Sequence, residues 1–126
     1  MKINSEHTFQ YGVVRALQMS GFIVCNTDVM DALKFFGHKD VMRFAYIRHH
    51  KNMGYTKGQS DLVVAKNGQF WAIELKTATG KQSKEQKQFQ AICEFNGIKY
   101  IIIRNYTDLE RFIKEGRKDP KIGGTN

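Results

Sequence analysis

The chain has 126 residues and a net charge of +8, which allows one domain with a real core and excludes two. No apolar run approaches a membrane span, and no charged-then-apolar segment opens the chain, so the expectation is a cytoplasmic protein, or one acting within a host cytoplasm. The excess of lysine and arginine suits a polyanionic partner, although composition alone is equally met by a basic protein kept soluble by its charge.

Taken in order, the elements alternate between helix and strand. Asn4 or Ser5 can cap a helix from about Glu6 to Met19, with Phe9, Val13, Ala16 and Leu17 on one face and Gly21 as its stop. Phe22 to Cys25 reads as a short buried strand, and Thr27-Asp28 as the opening of a helical turn or short helix that ends at Gly37. Asp40 can cap a helix from Val41 to about Met53, with Phe44 and Ile47 inward, Arg43, Arg48, His49 and Lys51 outward, and Gly54 behind it. A loop from Tyr55 to Ser60 leads into two strand-like segments, Asp61 to Lys66 and Gln69 to Lys76, separated by Asn67-Gly68. Ser83 begins another helix, ended by Asn96-Gly97. The continuous apolar run in Lys99 to Arg104 suits a central strand. Thr107-Asp-Leu-Glu110 matches a capping box for a last helix to Glu115. Residues 1–116 therefore form a single α/β domain, and 117–126 are a polar tail expected to be flexible.

Cys25 and Cys93 each lie in an apolar stretch and read as buried free thiols in a reducing compartment. There is no CxxC pair, and His49-His50 has no second pair at zinc-like spacing, which argues against a structural zinc.

The chemistry gathers at the hairpin. Asn-Gly is the strongest short-range signal for a two-residue turn with positive φ at both positions. That turn pairs Lys66 with Gln69, Val64 with Trp71, Leu62 with Ile73, and Asp61 with Glu74. Leu62, Val64, Trp71, Ile73 and Leu75 then share a core face, while Asp61, Glu74 and Lys76 lie at the far end of the other. Two carboxylates across a ladder, with Cβ atoms about 5 Å apart, repel unless a cation lies between them. The pair reads as half of a site for Mg²⁺ or Mn²⁺, with the Leu75 carbonyl as a further oxygen ligand. Such a site serves phosphodiester hydrolysis, and Lys76 can hold the attacking water or stabilise transition-state charge. The plainer reading is a solvated strand end at which Lys76 screens two surface acids.

Lys57-Gly58-Gln-Ser-Asp61, Glu74-Leu-Lys76-Thr77, Gly80-Lys81 and Ser83-Lys-Glu-Gln86 together resemble the virus-type replication-repair nuclease (VRR-NUC) family of the PD-(D/E)XK nucleases, with Ser60 where the superfamily name has proline. The resemblance runs through the following helix and strand and covers about half the chain closely. It implies a restriction-endonuclease-like core, a mixed central sheet flanked by helices, Mg²⁺ or Mn²⁺ as cofactor, and a homodimer acting on branched DNA in the manner of a Holliday-junction resolvase. It also implies that Glu6 completes the metal site and that Gln86 reaches toward the scissile phosphate. Each has a simpler account: Glu6 is favoured in a first helical turn by the helix dipole, and Gln86 completes a capping box with Ser83.

The candidate DNA contacts fall in two groups around these acids. Arg43, Arg48, Lys51 and Lys57 lie in a stretch from Val41 to Ser60 without an acidic residue, and Lys81, Lys84 and Lys87 follow the site. Gly54, Gly58 and Gly80 read as turn positions requiring positive φ. The segment from Thr27 to Phe36 is the candidate dimer interface, with an ordinary core helix as the alternative. Other functions compatible with these residues are a repair or restriction-type nuclease acting on flaps or plain duplex, and a catalytically silent basic DNA-binding module of the same fold.

Overall fold

A computed structural model of the protein describes residues 5–27, 33 and 37–116, with side chains from residue 8 onward. Among the described residues eight elements follow one another: α1 (Ser5–Met19), β1 (Ile23–Asn26), α2 (Val41–Asn52), β2 (Leu62–Lys66), β3 (Gln69–Leu75), α3 (Lys84–Phe95), β4 (Lys99–Ile103) and α4 (Tyr106–Gly116). The fold is α/β, a four-stranded mixed sheet in the order β1-β2-β3-β4 flanked by helices. Among the described residues no helix is long and apolar enough to cross a membrane.

The β2–β3 hairpin has the register its turn dictates. Asn67 and Gly68 have φ of 52° and 78°, the pair of positive values that matches strand twist, and Leu62 faces Ile73 while Val64 faces Trp71. β4 returns through α3 to lie parallel to β3, as a crossover connection requires. Leu62, Val64, Trp71, Ile73 and Ile103 then face Val13 and Leu17 of α1 and Leu109, Phe112 and Ile113 of α4. Phe22 joins them, its ring centroid 5.7 Å from that of Trp71 and 5.3 Å from that of Phe112. Each fully buried aliphatic side chain here contributes about 1.5–3 kcal/mol. The opposite sheet face carries Ala72, Glu74, Tyr100 and Ile102, with α3 against β4.

Several elements differ from the sequence reading. β1 begins at Ile23 and lies on the sheet edge, where Ile23 is 68% exposed and Cys25 is exposed too; only Phe22, just before it, is buried. A four-residue strand paired on one side has too few neighbours to bury both faces. β4 is also at an edge of the described sheet, pairing with β3 alone. Its unbroken apolar run is explained by helices on both faces, α3 and α4, rather than by strands on both sides. The last helix starts at Tyr106, ahead of the Thr107 box: Asn105 Oδ1 accepts the Asp108 amide at 2.8 Å, and Asp108 Oδ2 accepts the Arg104 amide at 3.0 Å.

α2 is capped as its sequence suggests, with Asp40 Oδ1 accepting the Met42 amide at 2.8 Å. None of its residues is buried, however, and Phe44 is 57% exposed rather than inward. The helix is held by its ends and by local ring contacts such as Tyr46 with His50 at 4.3 Å. The candidate interface from Thr27 to Phe36 and the tail 117–126 lie outside the described residues, apart from Thr27 and Leu33.

Candidate functional site

β3 brings Glu74 to the sheet face on which α3 packs, and the strand beside it places Ile102 opposite. Glu74 is only 1% exposed, and neither carboxylate oxygen has a hydrogen-bond partner. An ionised carboxylate buried in this way costs several kcal/mol unless a positive charge or donor compensates it. Among the described residues these two oxygens are the only buried side-chain polar atoms without a hydrogen-bond partner.

Asp61 sits one residue before β2, just beyond the last ladder pair, Leu62 with Ile73. Its carboxylate turns across the end of the hairpin, and Oδ2 accepts the Leu75 amide at 2.8 Å. Its backbone carbonyl accepts the Thr27 amide at 3.0 Å. The neighbouring Ser60 carbonyl accepts the Thr27 hydroxyl, and the buried Ser60 hydroxyl donates to the Leu62 carbonyl at 3.0 Å. The chain entering β2 is thus tied to the residue that follows β1, and this tie sets where Asp61 stands.

Lys76 continues β3, its amide bonded to the Ile103 carbonyl at 3.1 Å, and its side chain is half-buried. The turn after it is clamped by Arg104, whose Nη1 donates to the carbonyls of Thr77 at 2.8 Å and Gly80 at 2.6 Å. Gly80 does not have the positive φ expected of it; its constraint is space, because a Cβ there would lie 2.8 Å from Thr77 Oγ1. Gly58 does have positive φ, +87°, and packs so closely on the first turn of α3 that a Cβ would lie 2.4 Å from the Glu85 carbonyl. Lys57 beside it pairs with Glu85 at 3.6 Å. The Glu85 carboxyl is held below its usual range, first by its backbone hydrogen bond and then by the Lys57 charge.

At the same helix end the capping box is complete: Ser83 Oγ accepts the Gln86 amide at 3.1 Å and Gln86 Oε1 accepts the Ser83 amide at 2.8 Å. The carbonyl oxygen of Gln86 is therefore committed to the cap. Lys81 and Lys84 are exposed on either side of it. Arg48 and Lys51 are exposed on α2, whereas Arg43 is half-buried and donates to the Leu33 carbonyl at 3.0 Å.

Tyr100 is the residue that sequence reasoning missed. It lies opposite Ala72 in the parallel ladder, on the Glu74 face. Its phenol pKa is raised well above the usual value, first by burial and then by the negative charge of Glu74. Gln82 Nε2 approaches the phenol oxygen at 3.5 Å and donates to Gln90 Oε1 at 2.9 Å. Alternation along Lys99 to Ile103 carried the signal, but only once the parallel pairing with β3 is known.

The structure therefore brings together Asp61, Glu74, the Leu75 amide and Lys76 at one end of the hairpin. Among the described residues no three His, Cys, Asp or Glu side chains cluster as a complete metal cage. The Glu6 side chain, expected as a third acid, lies outside the described residues, although its backbone is in the first turn of α1. Two carboxylates nevertheless suit Mg²⁺, which ordinarily takes one or two and completes its shell with water and phosphate oxygens. The donors are hard oxygens, the type that ion prefers. Compared with protein-family models, with curated proteins and with solved structures, the chain matches none.

Proposed function

We propose that the protein is a Mg²⁺- or Mn²⁺-dependent deoxyribonuclease with a PD-(D/E)XK core of the VRR-NUC type. The observation that carries this reading is Glu74, an almost fully buried carboxylate with neither oxygen bonded, at the hairpin end that also holds Asp61. A divalent cation offsets the cost of burying that charge. Surface screening does not account for it, since an acid that is 1% exposed is not solvated.

Asp61, Glu74 and the Leu75 carbonyl would hold the cation, with Glu6 as the third acid. When bound, it would lower the pKa of a water and neutralise charge on the phosphate. Lys76 would direct its ammonium at that water or at the transition-state oxygens. Gln86, its oxygen committed to the cap, would reach the phosphate with Nε2. The N-terminus of α3, flanked by Lys81 and Lys84, offers a place for the adjoining phosphate. Arg48, Lys51 and Lys57 would hold the duplex arms by their backbones, giving recognition by shape rather than by base sequence, while Arg43 is engaged with the Leu33 carbonyl. The working unit would be a homodimer, because one site per small chain cuts two strands most simply about a two-fold axis.

The test is a cleavage panel of linear duplex, single strand, flap and four-way junction, each with Mg²⁺, Mn²⁺ or EDTA, with light scattering at micromolar concentration. Metal-dependent cutting that favours the junction, by a dimer, is the expected result. Equal cutting of linear duplex by a monomer leaves a general nuclease. No cleavage of any substrate with either metal removes the enzymatic reading and leaves a basic DNA-binding module.

A further inference from the structure

Glu74 needs something to orient it as well as something to neutralise it. Of its neighbours on the same sheet face, Ala72 before it on β3 and Ile102 across from it on β4 have no side-chain donor, and the Lys76 ammonium after it is the one assigned to water or transition-state charge. Tyr100, opposite Ala72, has one, and the ladder makes it the diagonal neighbour of Glu74 on that face. The phenol ring is fixed on its other side, edge-on to Phe89 with centroids 6.4 Å apart. Gln82 points Nε2 toward the phenol oxygen at 3.5 Å while that nitrogen donates to Gln90 Oε1 at 2.9 Å, and Gln90 in turn donates to Glu94 Oε1 at 2.8 Å. With an amide donor on its oxygen, the phenol keeps its own proton for a partner other than Gln82. A chain of polar side chains thus runs from the exposed surface of α3 down to the buried acid.

We propose that Tyr100, oriented by Gln82, is a positioning residue of the metal site: with a cation bound it would donate a hydrogen bond to one Glu74 oxygen, neither of which is bonded in the structure, and so leave the other for the cation. The assignment rests on the metal-site reading above. Partners that orient a metal-ligating group set metal affinity, and their loss typically weakens binding about 10- to 100-fold. Tyr100 touches neither substrate nor cation, so its removal should change affinity far more than turnover. A tyrosine that merely filled space would be replaced by phenylalanine without effect on either.

Titration calorimetry of Mn²⁺ into the wild-type protein, Tyr100→Phe and Gln82→Ala provides the test. Phenylalanine keeps the ring and its packing on Phe89 and removes only the hydroxyl. The expected result is an Mn²⁺ Kd raised about 10-fold or more in Tyr100→Phe and by a smaller factor in Gln82→Ala. The metal concentration giving half-maximal cleavage should rise in parallel, while kcat at saturating Mn²⁺ stays within about 3-fold of wild type. Wild-type affinity in folded Tyr100→Phe overturns the assignment; should that variant not fold, wild-type affinity in Gln82→Ala overturns it. Failure of the wild-type protein itself to bind Mn²⁺ is a different outcome and overturns the metal site with it.

Discussion

The Asp61 carboxylate accepts the Leu75 amide at 2.8 Å, closing the hairpin end with a side chain where a ladder bond would otherwise run. That bond makes the two acids of the site unequal. Asp61 has a structural duty whether or not a cation is present, whereas Glu74, buried with neither oxygen bonded, carries the cost of its burial until a cation or the Tyr100 phenol compensates it.

The two acids should therefore respond in opposite ways when stability is measured in EDTA. Glu74→Gln removes a buried charge and should stabilise the protein by about 1–3 kcal/mol. Asp61→Ala leaves the Leu75 amide without its acceptor and should destabilise it by about 1–2 kcal/mol. Asp61→Asn keeps an acceptor oxygen and should come close to wild type. All three should lose Mg²⁺ and Mn²⁺ binding and cleavage. Thermal melts in EDTA decide the stability signs, and a lower midpoint for Glu74→Gln contradicts the account of Glu74.

Glycines with the same backbone sign should differ sharply in tolerance. Gly58 combines φ of +87° with backbone atoms of Glu85 and Gln86 where a Cβ would go, so Gly58→Ala should cost on the order of 3 kcal/mol and displace the Asp61 loop. Gly54, at φ +103°, has nothing within 4 Å, and Gly54→Ala should cost about 1 kcal/mol. Urea unfolding of the two variants checks the difference. Near-equal midpoints would mean that the Gly58 contact relaxes freely.

How far the sequence reaches is visible at the hairpin. Asn67-Gly68 is a local signal, and because register follows from turn geometry, the positions of Asp61, Glu74 and Lys76 could be read without any tertiary information. The same holds for the Asp40 and Ser83 caps. What could not be read depends on which elements meet. The apolar content of β4 is the same whether strands or helices cover it, and Phe44 looks inward on a helix that buries nothing. Cys25 sits in an apolar run on an edge strand. Tyr100 becomes a site residue only through a parallel pairing made across α3, a non-local contact that no local pattern encodes.

The two cysteines should separate cleanly by reactivity. Cys25 is exposed, while Cys93 is buried and its thiol pKa is raised, first by burial and then by the Glu94 charge. Native protein at pH 8 should release about one equivalent of thiol to Ellman's reagent quickly, and the second only on unfolding. The sign of the linkage follows: the folded state favours the protonated Cys93, so this contribution is intact below the ordinary thiol value of 9.0 and declines as pH rises above it. Rapid reaction of both thiols in native protein would count against the burial of Cys93.

Turnover should depend on Lys76 and on the turn that follows it. Lys76→Ala should lower kcat by about 10² with metal affinity kept, and Lys76→Arg should restore only part, since a planar guanidinium places its donors differently. Arg104→Ala releases the carbonyls of Thr77 and Gly80 and should lower kcat by about 10-fold through misplacement of Lys76. Calorimetry beside kinetics separates the effects. Loss of metal affinity in Lys76→Ala would make the lysine a structural counter-charge.

The exposed charge of α2 should be read out by salt. Arg48 and Lys51 are exposed on a helix that buries none of its residues, so they can be changed with little effect on folding. If each neutralises one phosphate, Arg48→Ala with Lys51→Ala should lower the slope of log affinity against log salt by about 2, roughly 0.9 per lost contact. Affinity should fall similarly on duplex and junction, because phosphate contacts carry no base information. Mn²⁺ affinity should not move. Arg43 is a different case: its guanidinium is engaged with the Leu33 carbonyl, so Arg43→Ala should lower stability rather than act mainly on the slope. An unchanged slope in the double variant would assign DNA binding to Lys81 and Lys84 together with Lys57, which the structure brings to the start of α3, and the same measurement on those three then locates it.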